Sequence, residues 1–217
     1  MGSVLGELVP PALGIAVSPF PVVPAILLLF TVRPRATSGA FLAGWTSGIA
    51  LAAGVFTTLA TVVELNEETP TWVSWVKIVL GAALVAAGAR QWFTRHRGTA
   101  PRWMRSVQQS TPASALRLGL LLSAANPKVL LLALAGGVGI GAAELPLPGA
   151  VGAVLVFTAI AACTVALPLV LHAALGDRIL VPLRRAKDWL ETHNAAVMAV
   201  VITVIGVLLL GEGAGGL

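Results

Sequence analysis

The residues best placed to do chemistry are Asn126, Pro127 and Lys128, in the middle of the apolar run LLSAANPKVLLL (121–132). Lys128 sets an ammonium group among hydrocarbon side chains, beside a proline that cannot donate to a helical ladder. A helix restarting at Pro127 has Asn126 as its N-cap. Proline suits the first turn, because its missing N–H costs nothing there. The amides at that helix start, and its positive end, would face the same space as Lys128 and make an anion site. A carboxylate, phosphate or sulfate headgroup suits such a site. The competing reading is a kinked helix whose lysine snorkels or bonds the freed carbonyls. A lysine at the bilayer centre costs about 3 kcal/mol even on insertion scales, and no Asp or Glu stands at that depth to pair with it. That cost favours a functional role.

The elements that must position these residues are membrane helices. The 217 residues are 57% hydrophobic and 11% charged, and the mean hydropathy is +0.92. A soluble domain carries about 25% charged residues. This chain cannot cover a soluble surface, so it is read as an all-α integral membrane protein. Apolar runs cover 8–32, 38–63, about 72–90, about 116–141, 145 to about 175, and 193 to about 210, which makes six transmembrane helices. The first holds Pro10, Pro11, Pro19, Pro21 and Pro24 and is expected to be a broken helix buried in protein. The second is rich in Gly, Ala, Ser and Thr, which let helices approach closely in lipid. Lys77 in the third is close enough to the interface to snorkel.

All Lys and Arg except Lys77 and Lys128 fall after spans one, three and five, whereas Glu7, Glu64, Glu67, Glu68, Glu144 and Glu212 fall in the opposite segments. The positive-inside rule then places both termini outside. The net charge of +5 is explained by this orientation rather than by nucleic acid. Trp72 and Trp75 fall at the outer interface, and Trp92, Trp103 and Trp189 at the inner one. Trp45 stands apart, inside span two. Residues 94–115, with Arg95, His96, Arg97, Arg102 and Arg105, form a basic cytoplasmic loop that could also recruit anionic lipid. PLRRAKDWLETH (182–193) reads as an interfacial amphipathic turn. The start of the chain lacks the basic residues and cleavage site of a signal peptide, so the first span is expected to be retained. One cysteine, Cys163, cannot make a dithiol relay. The three histidines are not spaced for a metal, and neither metal nor cofactor is expected. No nucleophile–base pair or carboxylate pair stands in the spans, so the chain is not read as an enzyme.

ALGIAVSPFPVVPAILLL (12–29) aligns with LLLSAANPKVLLLALAGG (120–137), with Ser18-Pro19 on Asn126-Pro127. The single transmembrane domain (1–217) then divides into three-helix repeats, 1–93 and 116–217. An odd span count inverts one against the other, with broken first helices in spans one and four. Such paired breaks point to a transporter site near the midplane. The candidate substrate-binding residues are Ser18, Pro19, Pro21, Trp45, Asn126, Pro127, Lys128 and Thr158. Ser18 and Asn126 are expected to approach each other, with Lys128 lining the same cavity. Thr164 is a secondary cavity candidate. His172 is expected at the interface, and the other in-span hydroxyls are expected to bond their own helix or a neighbour. With no intramembrane carboxylate, the coupling ion stays open.

ALGIAVSPFPVVPAILLLF (12–30), FLAGW (41–45), LLSAANPKVLLLALAGG (121–137) and THNAAVMAVVITVIGVLLLGEG (192–213) together resemble the GAP family. That family includes mycobacterial sulfolipid-1-addressing and peptidoglycolipid-addressing proteins and is placed in the LysE-type exporter superfamily. The resemblance covers nearly the whole chain. It implies a six-span protein of the bacterial plasma membrane that moves lipids or glycolipids toward the cell surface. It also implies that Ser18-Pro19 and Asn126-Pro127-Lys128 are the family's paired helix breaks. The paired cysteines of the superfamily's thiol-electron carriers have no counterpart here. The expected function is a transporter or flippase for an anionic lipid or glycolipid, working by alternating access among membrane lipids. Small-residue faces of spans two and five could pack the halves together or join protomers of a homo-oligomer. One rival is a LysE-type exporter of small solutes, separable by transport of amino acids against labelled lipids. The other is a scaffold for lipid-synthesis or export machinery, which would co-purify with it.

Overall fold

Proline decides where most helices begin. In a computed structural model that describes residues 2–62, 71–94 and 110–215, every regular element is a helix. The order is α1 (Gly2–Ala16), α2 (Pro19–Leu28), α3 (Pro34–Val62), α4 (Thr71–Thr94), α5 (Pro112–Ala124), α6 (Pro127–Ala142), α7 (Leu147–Leu175), a 3₁₀ turn (Gly176–Ile179) and α8 (Leu180–Gly215). Proline is the first residue of α2, α3, α5 and α6, where no N–H is needed. Thr111 caps α5 by accepting from the Ser114 amide at 3.3 Å. The corner from α2 to α3 is tied by threonines. Thr31 and Thr37 both donate to the Leu28 carbonyl, at 2.8 and 3.2 Å, so the open end of α2 is satisfied.

In-span hydroxyls mostly turn back on their own helices, as expected from sequence. Thr46 donates to the Leu42 carbonyl, Thr57 to Ala53, Thr58 to Gly54 and Thr203 to Ala199, all at 2.8–2.9 Å. Apolar side chains meanwhile stand bare: Leu51, Leu59, Leu121, Leu155 and Leu167 are each more than half exposed. With Pro34–Thr61 and Leu147–Trp189 long and apolar enough to cross a bilayer, this is an all-α membrane protein. Two further segments qualify as bent pairs, α1 with α2 at 52° and α5 with α6 at 65°.

The helices group into two compact units, 1–63 with 101–188, and 64–100 with 189–217. Each unit draws on both halves of the chain, so the grouping does not follow the boundary between 1–93 and 116–217. In the first unit α3 lies along α5 and then α6. Gly44 faces Leu116 and Leu120, Gly48 faces Ser123, Ala53 and Thr57 face Gly137, and Ala60 faces Gly141. Residue numbers rise together, so α3 runs parallel to the α5–α6 pair, and that pair advances through the fold rather than doubling back. In the same way α7 packs on α1 and α2. Each long helix thus embraces the broken pair of the other half. In the second unit Gly81 meets Gly206, and Gly88 meets Ala199 and Thr203, which makes α4 and the end of α8 antiparallel.

The helical runs begin earlier than the apolar pattern marks. α5 starts at Pro112 rather than near Leu116, and α8 starts at Leu180 rather than His193. The segment read as an interfacial turn (182–193) is therefore the opening of a 36-residue helix. Its Leu, Arg, Ala, Lys and Glu are good helix formers, and its one proline sits in the first turn. Trp75, Trp92 and Trp189 are exposed and Trp45 is fully buried. Arg95 to Arg105 with Trp103, and the side chains of Trp72 and Lys77, lie outside the described residues.

Candidate functional site

The second break has the geometry that its sequence dictates. Ala125 closes α5 by donating to the Leu121 carbonyl at 2.9 Å. Asn126 then turns extended, at φ −88° and ψ 113°, and its Oδ1 accepts from the Lys128 amide at 3.0 Å. Pro127 follows as the first residue of α6 and is exposed. Asn126, Pro127 and Lys128 are thus gathered in one helix cap. The amide of Lys128 is consumed by that cap, while its side chain leaves in another direction. Lys128 Nζ is buried and has no hydrogen-bond partner. A snorkelling lysine would show its head to water, and a structural one would bond a carbonyl. Lys128 does neither.

At the first break Ser18 is also extended, at φ −69° and ψ 118°, but its side chain makes no capping bond. Ser18, Pro19 and Pro21 are all buried. The chain tightens before them, with the Ser18 amide donating to Ile15 at 3.1 Å. At this break the Thr164 hydroxyl, on α7, donates to the Ala16 carbonyl at 2.6 Å. The bond to a neighbouring helix makes Thr164 a strut for the break. Replacing it with valine is expected to lower stability by about 1 kcal/mol, while serine keeps the bond. Thermal unfolding of both variants in one detergent checks this.

The two breaks lie on broken pairs that pack crosswise, α1 on α6 and α2 on α5. Gly14, one turn before the first break, faces the Leu132 side chain just past the second. Trp45 is fully enclosed on the stripe Phe41, Trp45, Ile49 and Ala53, and its backbone lies against Gly119. Its Nε1 is buried without a partner. Thr158 is buried and spends its hydroxyl on the Val154 carbonyl at 2.8 Å.

His172, in the last turn of α7, is 4% exposed. It falls on the buried stripe Thr158, Ala161, Val165, Pro168 and His172, whose spacing of three and four turns it inward. Its Nε2 lies 3.4 Å from Asp177 Oδ1, yet neither ring nitrogen makes a hydrogen bond. The contact is proximity without bonding geometry. No group of three or more His, Cys, Asp or Glu able to hold a metal occurs among the described residues. Cys163 is exposed.

The chain thus holds two helix breaks, one capped by Asn126 and carrying a buried unpaired ammonium. Neither the curated proteins nor the solved structures contain a match to it. A family model does match, over residues 8–215, described as Sap, sulfolipid-1-addressing protein. The match takes in both breaks, and the chain belongs to the sulfolipid-1-addressing protein family.

Proposed function

We propose that this protein moves an anionic lipid or glycolipid across the bacterial plasma membrane toward the cell surface, by alternating access between two inverted three-helix halves. The observation that carries the proposal is Lys128 Nζ, buried and unpartnered at the start of α6. A sulfate, phosphate or carboxylate headgroup would pair with that ammonium and with the helix ends at Asn126 and Ser18. Acyl chains would remain in lipid. The family's link to sulfolipid supports a sulfated or otherwise anionic headgroup.

Two packing directions and two pairings support six crossings in inverted halves. Spans two and four run parallel where α3 follows α5–α6, and spans three and six run antiparallel where Gly81 meets Gly206. The crosswise pairing of the broken helices, and the placing of each long helix on the other half's broken pair, repeat the same inversion. Both termini outside follows from the distribution of Arg and Lys.

The test is leaflet exchange in liposomes of a fluorescent sulfoglycolipid, read by quenching the outer leaflet. Lys128→Gln is expected to slow exchange about tenfold or more, and Lys128→Arg to retain much of it. Unchanged exchange by Lys128→Gln would sink the proposal, and transport of amino acids without lipid would replace it with a small-solute exporter.

A further inference from the structure

A cavity of about 230 Å³ lies away from the helix breaks, lined by Leu27, Phe30, Arg184 and Lys187. It sits where the end of α2 meets the opening of α8, within the first unit. The Arg184 guanidinium lies over the Phe30 ring, 4.8 Å from its centroid. Stacking uses the face of the guanidinium and leaves its rim of N–H donors for an oxyanion, which a planar fork can hold with two bonds. Arg184 makes no ion pair among the described residues. Lys187 adds a second cation. Its side chain is 16% exposed and pairs with Asp188 at 2.9 Å, which holds the ammonium beside the cavity.

Leu27 and Phe30 give the cavity its apolar lining, and Val32 and Val181, close in sequence to Phe30 and Arg184, are 98% and 61% exposed. A cation fork on an aromatic ring, next to bare aliphatic side chains, is the chemistry of the headgroup layer. The same segments belong to the side that carries the Arg and Lys excess, which faces the cytoplasm.

We infer that Arg184, stacked on Phe30 and assisted by Lys187, holds the phosphate or sulfate ester of an anionic lipid in the inner leaflet. The site does not depend on Lys128 and does not require that the bound lipid be transported. An aqueous oxyanion would use the same donors but would gain nothing from Leu27, Val32 or Val181.

The test uses the full chain in nanodiscs of phosphatidylcholine with a minor share of phosphatidylglycerol, followed by native mass spectrometry of the released protein. The wild type is expected to retain phosphatidylglycerol over phosphatidylcholine. Arg184→Gln and Lys187→Gln are each expected to weaken that preference about fivefold, while Arg117→Gln, an exposed arginine on α5 outside the cavity, leaves it unchanged. Arg184→Lys, which keeps the charge and removes the fork, serves if the neutral variants do not fold, and is also expected to weaken retention. Equal retention of both lipids by the wild type overturns the inference, as does full preference in Arg184→Gln or, where that does not fold, in Arg184→Lys. So does complete displacement of phosphatidylglycerol by millimolar inorganic phosphate, which would make this a site for a free anion. Lys128→Gln retaining the preference separates this site from the translocation reading.

Discussion

Gly119→Val is expected to prevent assembly of the first unit, with the largest stability loss of any single change considered for this chain. Gly119 on α5 and Gly44 on α3 each face the other helix's backbone. A side chain at Gly119 would run into the Phe41 carbonyl and lie 2.8 Å from the Trp45 amide nitrogen, and one at Gly44 would meet Leu116 and lie 2.9 Å from the Leu120 amide. The obstacle in both directions is main chain, which no rotamer change can move. The helices must separate, and separation also strips contacts from Gly48 and Ser123 one turn along. In lipid, close packing rather than the hydrophobic effect holds helices together, so no compensating burial is gained. The cost is about 3 kcal/mol or more, and the measurement is the yield of monodisperse protein with its unfolding temperature. Gly54→Val is the control, because a side chain there meets nothing. Equal behaviour of the two variants would show that the α3–α5 contact does not hold the fold.

The second large effect is on function. Asn126→Leu combined with Pro127→Ala is expected to reduce lipid exchange to the protein-free background while the chain remains helical. Proline at 127 withholds one N–H, and Asn126 accepts from the Lys128 amide at 3.0 Å in place of a ladder carbonyl. The double change restores an N–H, removes the competing acceptor and lets α5 continue into α6. Straightening the 65° bend re-aims Lys128 and closes the capped helix start that would receive a headgroup. It also opposes the seating of Gly137 and Gly141 on α3. Asn126→Ala alone keeps Pro127 and therefore the bend, so it is expected to cost only about 1 kcal/mol of stability and part of the activity. Circular dichroism checks helicity, and exchange of the fluorescent sulfoglycolipid checks function. Wild-type exchange by the double variant would remove the break from the mechanism.

The breaks at Ser18-Pro19 and Asn126-Pro127 were readable from sequence because a helix is interrupted within one turn. A missing N–H at proline and a competing acceptor at asparagine act on neighbours a few residues away, whatever the rest of the fold does. Composition likewise determined the solvent, because a chain with 11% charged residues has too few ionic groups to cover a water-facing surface. The self-bonding of threonines in the spans is local in the same sense.

Contacts between helices were decided only in three dimensions. Thr164 reaches the Ala16 carbonyl across 148 positions, and nothing near Thr164 distinguishes it from Thr158, which bonds its own helix. The same holds for Arg184 on Phe30 and for the two facing glycines, since which faces meet depends on how whole helices align. His172 stands near a span end, and its register with Val165 and Pro168 carries it inward. That a lysine stands at a break inside an apolar run is legible in the chain alone. That its ammonium turns inward and finds no carbonyl is a matter of the folded protein, because a long flexible side chain can follow its helix to the interface or fold into the protein with equal local ease.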